Sequence, residues 1–281
     1  MKRKLMIIAG AACMLAWNGN NLVMAQDTTT AAARKIFAEH QDSVVWVSVV
    51  GKISISSPGG GNTQNREEKM EALATVVTSD GLLVSALSLV DPTSIISGRE
   101  MRTANGGRIK LDASAEIQEV QIIMADGTEV PAEVVMKDVD LDLVFIRAKA
   151  DSKEAKGVTF KPIDLKSSAK VDIADEVVTV TRAGEILNRQ PGVMHGQVTT
   201  LVKKPREFIK TEFASPGSPT FTLDGKLVGI CVTRHSGRGN PTAVVLPAAD
   251  VLEIAEQAKT AKPLAKEPKK DAPKEEKTKT E

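Results

Sequence analysis

The chain has 281 residues, 42% of them hydrophobic and 26% charged, which excludes a wholly disordered, collagenous or multi-span membrane protein. Aromatic residues make up only 3% of the chain, which disfavours a ligand cage of aromatic rings and a base-stacking platform for single-stranded nucleic acid. The net charge is +1, but residues 26–258 hold 26 basic and 31 acidic side chains. A mildly acidic body is unlike a duplex-DNA binder, so we expect no nucleic-acid partner.

The N-terminal 25 residues have the pattern of a secretory signal peptide. Three basic residues at the start precede the apolar run Leu5–Trp17, and Val23–Ala25 supplies the −3 and −1 positions of a cleavage site before Gln26. The apolar run is too short to span a bilayer of about 30 Å. An uncleaved interfacial anchor and a lipoprotein modified at Cys13 are the alternatives. We predict an exported protein, periplasmic or extracellular, of a bacterial envelope.

The few cysteines and histidines limit which catalytic or metal sites the chain can form. After cleavage Cys231 would be the lone cysteine, within an apolar, strand-like run, and we expect it to be a small buried hydrophobic residue. The three histidines, His40, His195 and His235, are far apart and none has metal-ligand spacing. We expect neither a metal nor a cofactor.

The segment between positions 26 and 258 is dominated by short runs with strand character, separated by turn residues. About a dozen such runs predict an all-β sandwich or barrel. Short helices are expected at each end, over 31–40 and 248–259, and the polar stretches Ser56–Lys69 and Thr93–Ala115 are expected to be loops.

The C-terminal residues 259–281 contain 8 lysines and 5 acidic residues and almost nothing apolar, so we expect a disordered tail. We expect it to serve as a solubilising spacer, with weak electrostatic contact with anionic envelope polymers as the alternative.

The order of these segments resembles the HtrA (DegP-type) serine proteases, whose trypsin-like fold is a pair of six-stranded barrels. The segments that carry the resemblance are Ser43–Val47, Ser79–Val90, Asp126–Val144, Thr211–Pro219 and Leu223–Ile230. The resemblance covers roughly residues 32–258, and it implies barrels at about 40–150 and 155–247. We expect no counterpart of the family's PDZ domain, since the charged tail follows Ala258.

The same resemblance assigns the positions of a catalytic triad. Asp142 falls at the position of the aspartate, and the alternative is a surface acid that ends a turn. Ser88 falls where the family has its histidine, and a hydroxyl cannot act as an imidazole base near neutral pH. His195 or His235 could approach the cleft in space, but both are expected to be surface histidines.

The nucleophile loop also departs from the family pattern. The resemblance implies eight residues from the nucleophilic serine to the aspartate of the next hairpin, and counting back eight residues from Asp224 reaches Pro216. Matching by residue type instead selects Ser218 in a shortened loop, in which the residue two before the serine is again Pro216 unless a gap follows Gly217. Proline has no N–H, so an oxyanion-binding loop needs that gap.

Three functions follow as hypotheses. The first is an exported pseudoprotease that binds or scaffolds an extended peptide or protein segment. The second is an atypical serine endopeptidase that uses Ser218, and the third is an envelope anchor that acts through its tail. An oligomer is compatible with the family, but no residue here establishes one.

Overall fold

The structure is a computed structural model that describes residues 19–57, 60–98, 100–102, 106–235 and 240–264. Two closed, six-stranded antiparallel barrels make up the body of the protein. The predicted all-β, double-barrel fold with a helix at each end is therefore confirmed. The N-terminal leader up to residue 18 and the tail from residue 265 lie outside the described residues.

The first barrel closes in the order β1-β2-β3-β8-β7-β6. Two short helices, α2 (Leu87–Val90) and α3 (Thr93–Ile96), and a small two-stranded sheet of β4 (Glu100–Arg102) and β5 (Arg108–Lys110) are inserted between β3 and β6. The barrel strands are β1 (Val44–Ser57), β2 (Gly60–Val76), β3 (Leu82–Ala86), β6 (Asp112–Ile123), β7 (Glu129–Asp138) and β8 (Leu143–Ala148).

The second barrel closes in the order β10-β11-β14-β13-β12-β9. Its strands are β9 (Glu176–Arg182), β10 (Pro191–Val202), β11 (Phe208–Thr211), β12 (Pro219–Thr222), β13 (Leu227–Arg234) and β14 (Thr242–Pro247). The helix α4 (Ala248–Thr260) follows, with Val251, Ala255 and Ala258 buried along one face, as its apolar spacing predicts.

The N-terminal helix α1 spans Gly19–His40 and is longer than predicted. Between Gly19 and His40 the sequence has no further glycine and no proline, so nothing interrupts the helix before Thr28. It runs through the expected cleavage point before Gln26. Within the described residues, no helix has both the length and the apolar character needed to cross a membrane.

Two segments expected to be loops contain strands. Residues 60–69 belong to β2, which pairs with β1 out to Ser57↔Gly60, and the stretch 93–115 holds α3, β4, β5 and the start of β6. The side chains at 63–67 of β2 and those of Arg108 and Lys110 of β5 are exposed. Their sequences therefore lack the apolar alternation by which a half-buried strand is detected.

A shared apolar cluster joins the two barrels and both terminal helices. It includes Phe145 of the first barrel, Phe221 and Ile230 of the second, Ile36 of α1 and Val251 of α4. The candidate site lies between the barrels, where the end of β3, the start of β8 and the end of β13 meet.

Candidate functional site

Asp142 and Ser88 meet at the cleft between the barrels. Asp142 directly precedes β8, and its backbone carbonyl accepts a hydrogen bond from the N–H of Leu87 at 2.9 Å, which holds the start of α2 against it. The carboxylate then accepts two hydrogen bonds from Ser88, from the N–H at 2.7 Å and from the hydroxyl at 3.1 Å. The structure thus brings together the two residues assigned to the aspartate and histidine positions.

The second barrel supplies a further donor to the same carboxylate. The N–H of Thr233, near the end of β13, donates to Asp142 Oδ2 at 2.6 Å. Asp142 is only 4% exposed, and this burial raises its pKa above the ordinary value. The hydrogen bonds from Thr233 and Ser88 and the charge of His235 oppose that rise.

The three histidines lie in different surroundings. The ring of His40 stacks on Phe221 with centroids 4.4 Å apart, and burial lowers its pKa. His195 Nε2 lies 3.6 Å from Glu176 on the outside of the second barrel. His235 is half-buried and close enough to Asp142 for its charge to lower the pKa of that carboxyl.

The proximity of His235 to Asp142 is an approach that the sequence left open but did not predict. The residue directly follows β13, whose end crosses to the first barrel: Arg234 Nη1 donates to the carbonyl of Asp140. Arg234 also places its guanidinium carbon 4.5 Å from the centroid of the Phe208 ring. No motif in the sequence signals this crossing, since it depends on how the two barrels pack.

The candidate nucleophile loop is a tight turn over residues 215–218. The N–H of Ser218 donates to the carbonyl of Ser215 at 3.0 Å, and Gly217 between them has φ of +89°. Proline at the second position and a left-handed glycine at the third are what a type II turn requires. Pro216 and Gly217 therefore fix the shape of this loop.

Ser218 is fully buried, and its Oγ has no hydrogen-bond partner. Its backbone is held in the second barrel, because its carbonyl accepts from the N–H of Cys231 at 2.9 Å. A substrate carbonyl in the cleft cannot reach this hydroxyl without movement of the turn. Ser215, at the first position of the turn, is half-buried and its Oγ accepts from Thr181 at 3.2 Å.

The amide groups of the turn are already used within the protein. The N–H of Gly217 donates to the carbonyl of Cys231 at 2.8 Å, that of Ser218 donates to Ser215, and Pro216 has none. The carbonyl of Gly217 accepts from Thr75 of the first barrel at 2.7 Å. This arrangement leaves residues 216–218 without a free donor for an oxyanion.

Cys231 and the metal-binding residue types were candidates for a second kind of site. Cys231 is buried, and burial raises the pKa of its thiol to about 11, so it stays protonated at neutral pH. Across the parts of the chain that the structure describes, no group of three or more His, Cys, Asp or Glu residues is arranged to hold a metal ion.

Comparison with known families fits this architecture. The profile of the family described as "Trypsin-like peptidase domain" matches residues 72–230, a segment that runs from within β2 to within β13. The chain belongs to the trypsin-like peptidase family. The expected membership of a trypsin-like protease family is thereby confirmed.

The chain is similar to two individual proteins, one by sequence and one by structure. The chain is 26% identical over 152 residues to the "Probable periplasmic serine endoprotease DegP-like" of Bartonella henselae, an alignment covering 48% of this chain and 27% of that protein. It therefore spans about a quarter of that relative. The MamO protease domain of Magnetospirillum magneticum, in its apo form, is 16% identical with a TM-score of 0.47, covering 78% of this chain and 98% of that chain.

A trypsin-like peptidase works through an imidazole that takes the proton of a serine hydroxyl, with a carboxylate that orients the imidazole. In this chain the carboxylate of Asp142 instead accepts from the side chain and backbone of Ser88. A hydroxyl that donates to a carboxylate has no basic atom with which to activate a nucleophile near neutral pH. The geometry suits a stable junction between barrels better than proton transfer.

Proposed function

We propose that this trypsin-like domain is a pseudoprotease of the bacterial envelope, which binds extended peptide or protein segments without cleaving them. The proposal rests on the surroundings of Ser88 and Ser218, the residues at the histidine and nucleophile positions. Ser88 is hydrogen-bonded to the carboxylate that should orient a base, and Ser218 is buried beneath a Pro-Gly turn. Loss of triad members lowers the rate of peptide hydrolysis by about 10⁴- to 10⁶-fold.

Peptide binding by such a domain does not need the triad, since an extended segment can pair through its backbone with an exposed strand edge. β13 supports this part of the proposal, because it continues to Arg234 after its last pair with β12, Pro219↔Ile230. Along this continuation the N–H of Thr233 is already bonded to Asp142 and the guanidinium of Arg234 to the carbonyl of Asp140, so pairing with a segment depends on the remaining backbone groups of this edge. A bound segment would lie along this end of β13.

Two observations support a location in the bacterial envelope. The N-terminal residues have the composition of a signal peptide, and the DegP-like relative is named as periplasmic. Fractionation of cells that express the full chain tests this part: the protein should be recovered in the periplasm or medium, shortened at the predicted site before Gln26. Recovery with the cytoplasm at full length would contradict it.

The position of His235 favours one second candidate, an atypical serine endopeptidase. Its imidazole lies near Asp142, and the half-buried Ser215 is at the entrance of the turn. This candidate requires the imidazole to reach a serine hydroxyl, and the structure shows Ser215 Oγ bonded to Thr181 instead.

Reaction with a fluorophosphonate serine probe separates the two candidates. We expect no labelling of the purified protein and none of the Ser88→His variant, since restoring the imidazole does not expose Ser218. The Ser218→Ala and Ser215→Ala variants are the matched controls. Labelling of the unmodified protein that disappears in either control would establish an active serine and overturn the pseudoprotease proposal.

A random-peptide phage library tests the binding half of the proposal. Selected peptides should shift the amide signals of Val232–Arg234 on β13 in nuclear magnetic resonance spectra. A library that yields no binder, or binders that shift only the outer surface of either barrel, would contradict peptide binding in the cleft while leaving the labelling result untouched.

A further inference from the structure

Part of one edge of β6 in the first barrel is unpaired, because β6 diverges from β7. β6 pairs with β1 along its whole length, Asp112 to Ile123, but it pairs with β7 only from Val120 to Ile123. Among the residues that the structure describes, no strand pairs with the other edge of positions 112–119. An open strand edge presents unpaired N–H and C=O groups, which favour the addition of another extended segment.

The chain itself leads to this opening after α4. Arg147 on β8 donates from Nη2 to the carbonyls of Ala258 at 2.7 Å and Lys259 at 2.8 Å, and from Nη1 to Ala261 at 3.1 Å. These bonds turn the chain from the second barrel onto the surface of the first. The guanidinium thereby also satisfies the last carbonyl groups of the helix.

The last described residue then bonds to β7. The N–H of Leu264 donates to the carbonyl of Val134 at 2.9 Å. Val134 lies two residues beyond Ala132, which makes the last β7 pair with β6, Val120↔Ala132. Leu264 thus makes a backbone bond to β7 just where β6 has moved away.

A groove of about 510 Å³ lies between these elements, and Pro263 and Leu264 form part of its lining together with the edges of β6 and β7. Its acidic side chains are Glu116, Glu119 and Glu133, and its basic side chains are Lys137 and Lys149. Lys137 is paired with Asp91 at 2.9 Å, and Glu119 accepts from Gln121 Nε2 at 2.5 Å, which leaves the carboxylates of Glu116 and Glu133 and the exposed Lys149 to face an occupant. The groove therefore favours a segment that carries positive charge.

We propose that this groove is the docking site of the chain's own C-terminal segment, residues 265–281, which adds along the open edge of β6. The segment begins inside the groove, directly after Leu264, and supplies lysines at positions 266, 269 and 270. At about 3.3 Å per residue, six residues extend about 20 Å along the edge. Tethering gives this segment an effective concentration that an outside peptide of similar affinity cannot match.

The tail then has a defined role in the fold: it covers the open edge of a barrel and prevents pairing with other chains. This role differs from that of a solubilising spacer and of an envelope anchor, because both of those require the segment to extend away from the barrel. It also does not depend on whether the cleft binds peptides.

Nuclear magnetic resonance of the isotope-labelled full chain tests the proposal. Residues 266–270 should have backbone order parameters above about 0.6, the value below which a backbone counts as flexible. Nuclear Overhauser contacts should connect them to Ala115–Glu119. Reversing the groove charge with Glu116→Lys and Glu119→Lys should lower these order parameters and remove the contacts, whereas the matched reversal Glu253→Lys and Glu256→Lys on the exposed face of α4 should leave both unchanged.

Three results would overturn the proposal. The first is order parameters below about 0.6 throughout residues 265–281, which would make the segment a free tail. The second is a set of contacts to any other surface. The third comes from mixing labelled and unlabelled protein: contacts only between the two populations would make the occupant the tail of a second copy.

Discussion

The carboxyl group of Asp142 connects the two barrels at the level of single residues. It accepts from Ser88 on α2 and from Thr233 on β13, so two backbone N–H groups depend on it for their hydrogen bonds. The residue also has φ of +57°, a left-handed conformation that aspartate tolerates better than most residues. In this environment the carboxylate stabilises the fold, whichever function the cleft has.

Replacing this carboxylate should therefore destabilise the protein. In Asp142→Gly the left-handed backbone is kept without steric conflict, while the N–H groups of Ser88 and Thr233 lose their acceptor. Each buried unsatisfied group costs about 1–3 kcal/mol, so we expect a loss of about 2–4 kcal/mol in the free energy of unfolding, measured with urea. Asp140→Gly, two residues away and exposed, is the control, and an equal loss in both variants would contradict the role of the carboxylate.

The pH dependence of stability follows from the raised pKa of Asp142. Because burial holds this pKa above its ordinary value in the folded protein, the native state binds a proton more tightly than the unfolded state does. The contribution of Asp142 to stability should therefore be largest below the ordinary aspartate pKa of about 3.9 and should fall as pH rises through the folded-state pKa. Unfolding free energies of wild type and Asp142→Gly across this window should converge with rising pH, and a widening difference would reverse the sign of the argument.

The turn over residues 215–218 sets the shape of the site at the level of an element. Gly217 has a positive φ, and a Cβ placed on it would lie 1.9 Å from the carbonyl oxygen of Leu73. The turn is thus packed against the first barrel as well as being bent. Both constraints act together to keep Ser218 inside the second barrel.

Alanine substitutions at two glycines separate these constraints. Gly225, in the turn between β12 and β13, has φ of +84°, but a Cβ added there would meet nothing within 4 Å. Gly225→Ala should cost only the backbone penalty, about 1–2 kcal/mol, whereas Gly217→Ala should cost clearly more because backbone must move. Thermal and urea unfolding of both variants check this, and equal losses would show that contact with Leu73 is unimportant.

Elements with apolar alternation or continuous apolar runs were predictable from sequence, and those without were not. β8, with Leu143–Ile146 fully buried, is apparent as an apolar run. Residues 60–69 of β2 are polar on both faces and depend on pairing with β1. Sequence patterns report burial, so a strand stabilised mainly by its neighbour's backbone escapes them.

The candidate site, too, could be predicted only in part from the sequence. Comparison with a family pattern locates Asp142 and Ser88, because their positions follow from flanking strands. The family pattern does not show that the hydroxyl of Ser218 is buried. Ser218 directly precedes β12, and its burial depends on the pairing of β12 with both β9 and β13. The approach of His235 depends on contact between barrels and has no local signal.

At the scale of the whole molecule, the two barrels are joined by a polar seam beside the apolar cluster. Arg182 at the end of β9 is 6% exposed, and its guanidinium donates to the carbonyls of Val44, Gln41 and Arg189. Trp46 of β1 donates from Nε1 to the carbonyl of Ala183 at 3.0 Å. The seam fixes how the second barrel faces the first, and therefore the geometry of the cleft.

Arg182→Met should loosen this seam while keeping most of the side-chain volume. Buried carbonyls lose a charged donor, so we expect the free energy of unfolding to fall by about 2–4 kcal/mol. Trp46 is the only tryptophan after the predicted cleavage site, so its fluorescence reports directly on the seam. In wild type its urea transition should coincide with that of far-ultraviolet circular dichroism, as expected for one cooperative unit.

In Arg182→Met the fluorescence transition should move to lower urea than the dichroism transition, because the junction opens before the barrels unfold. Arg206→Met is the matched control: Arg206 lies 3.7 Å from Asp250 with 41% of its side chain exposed, and such pairs contribute about 0–1 kcal/mol. If the two transitions of Arg182→Met stay coincident, the apolar cluster alone couples the barrels, and the polar seam only adjusts their orientation.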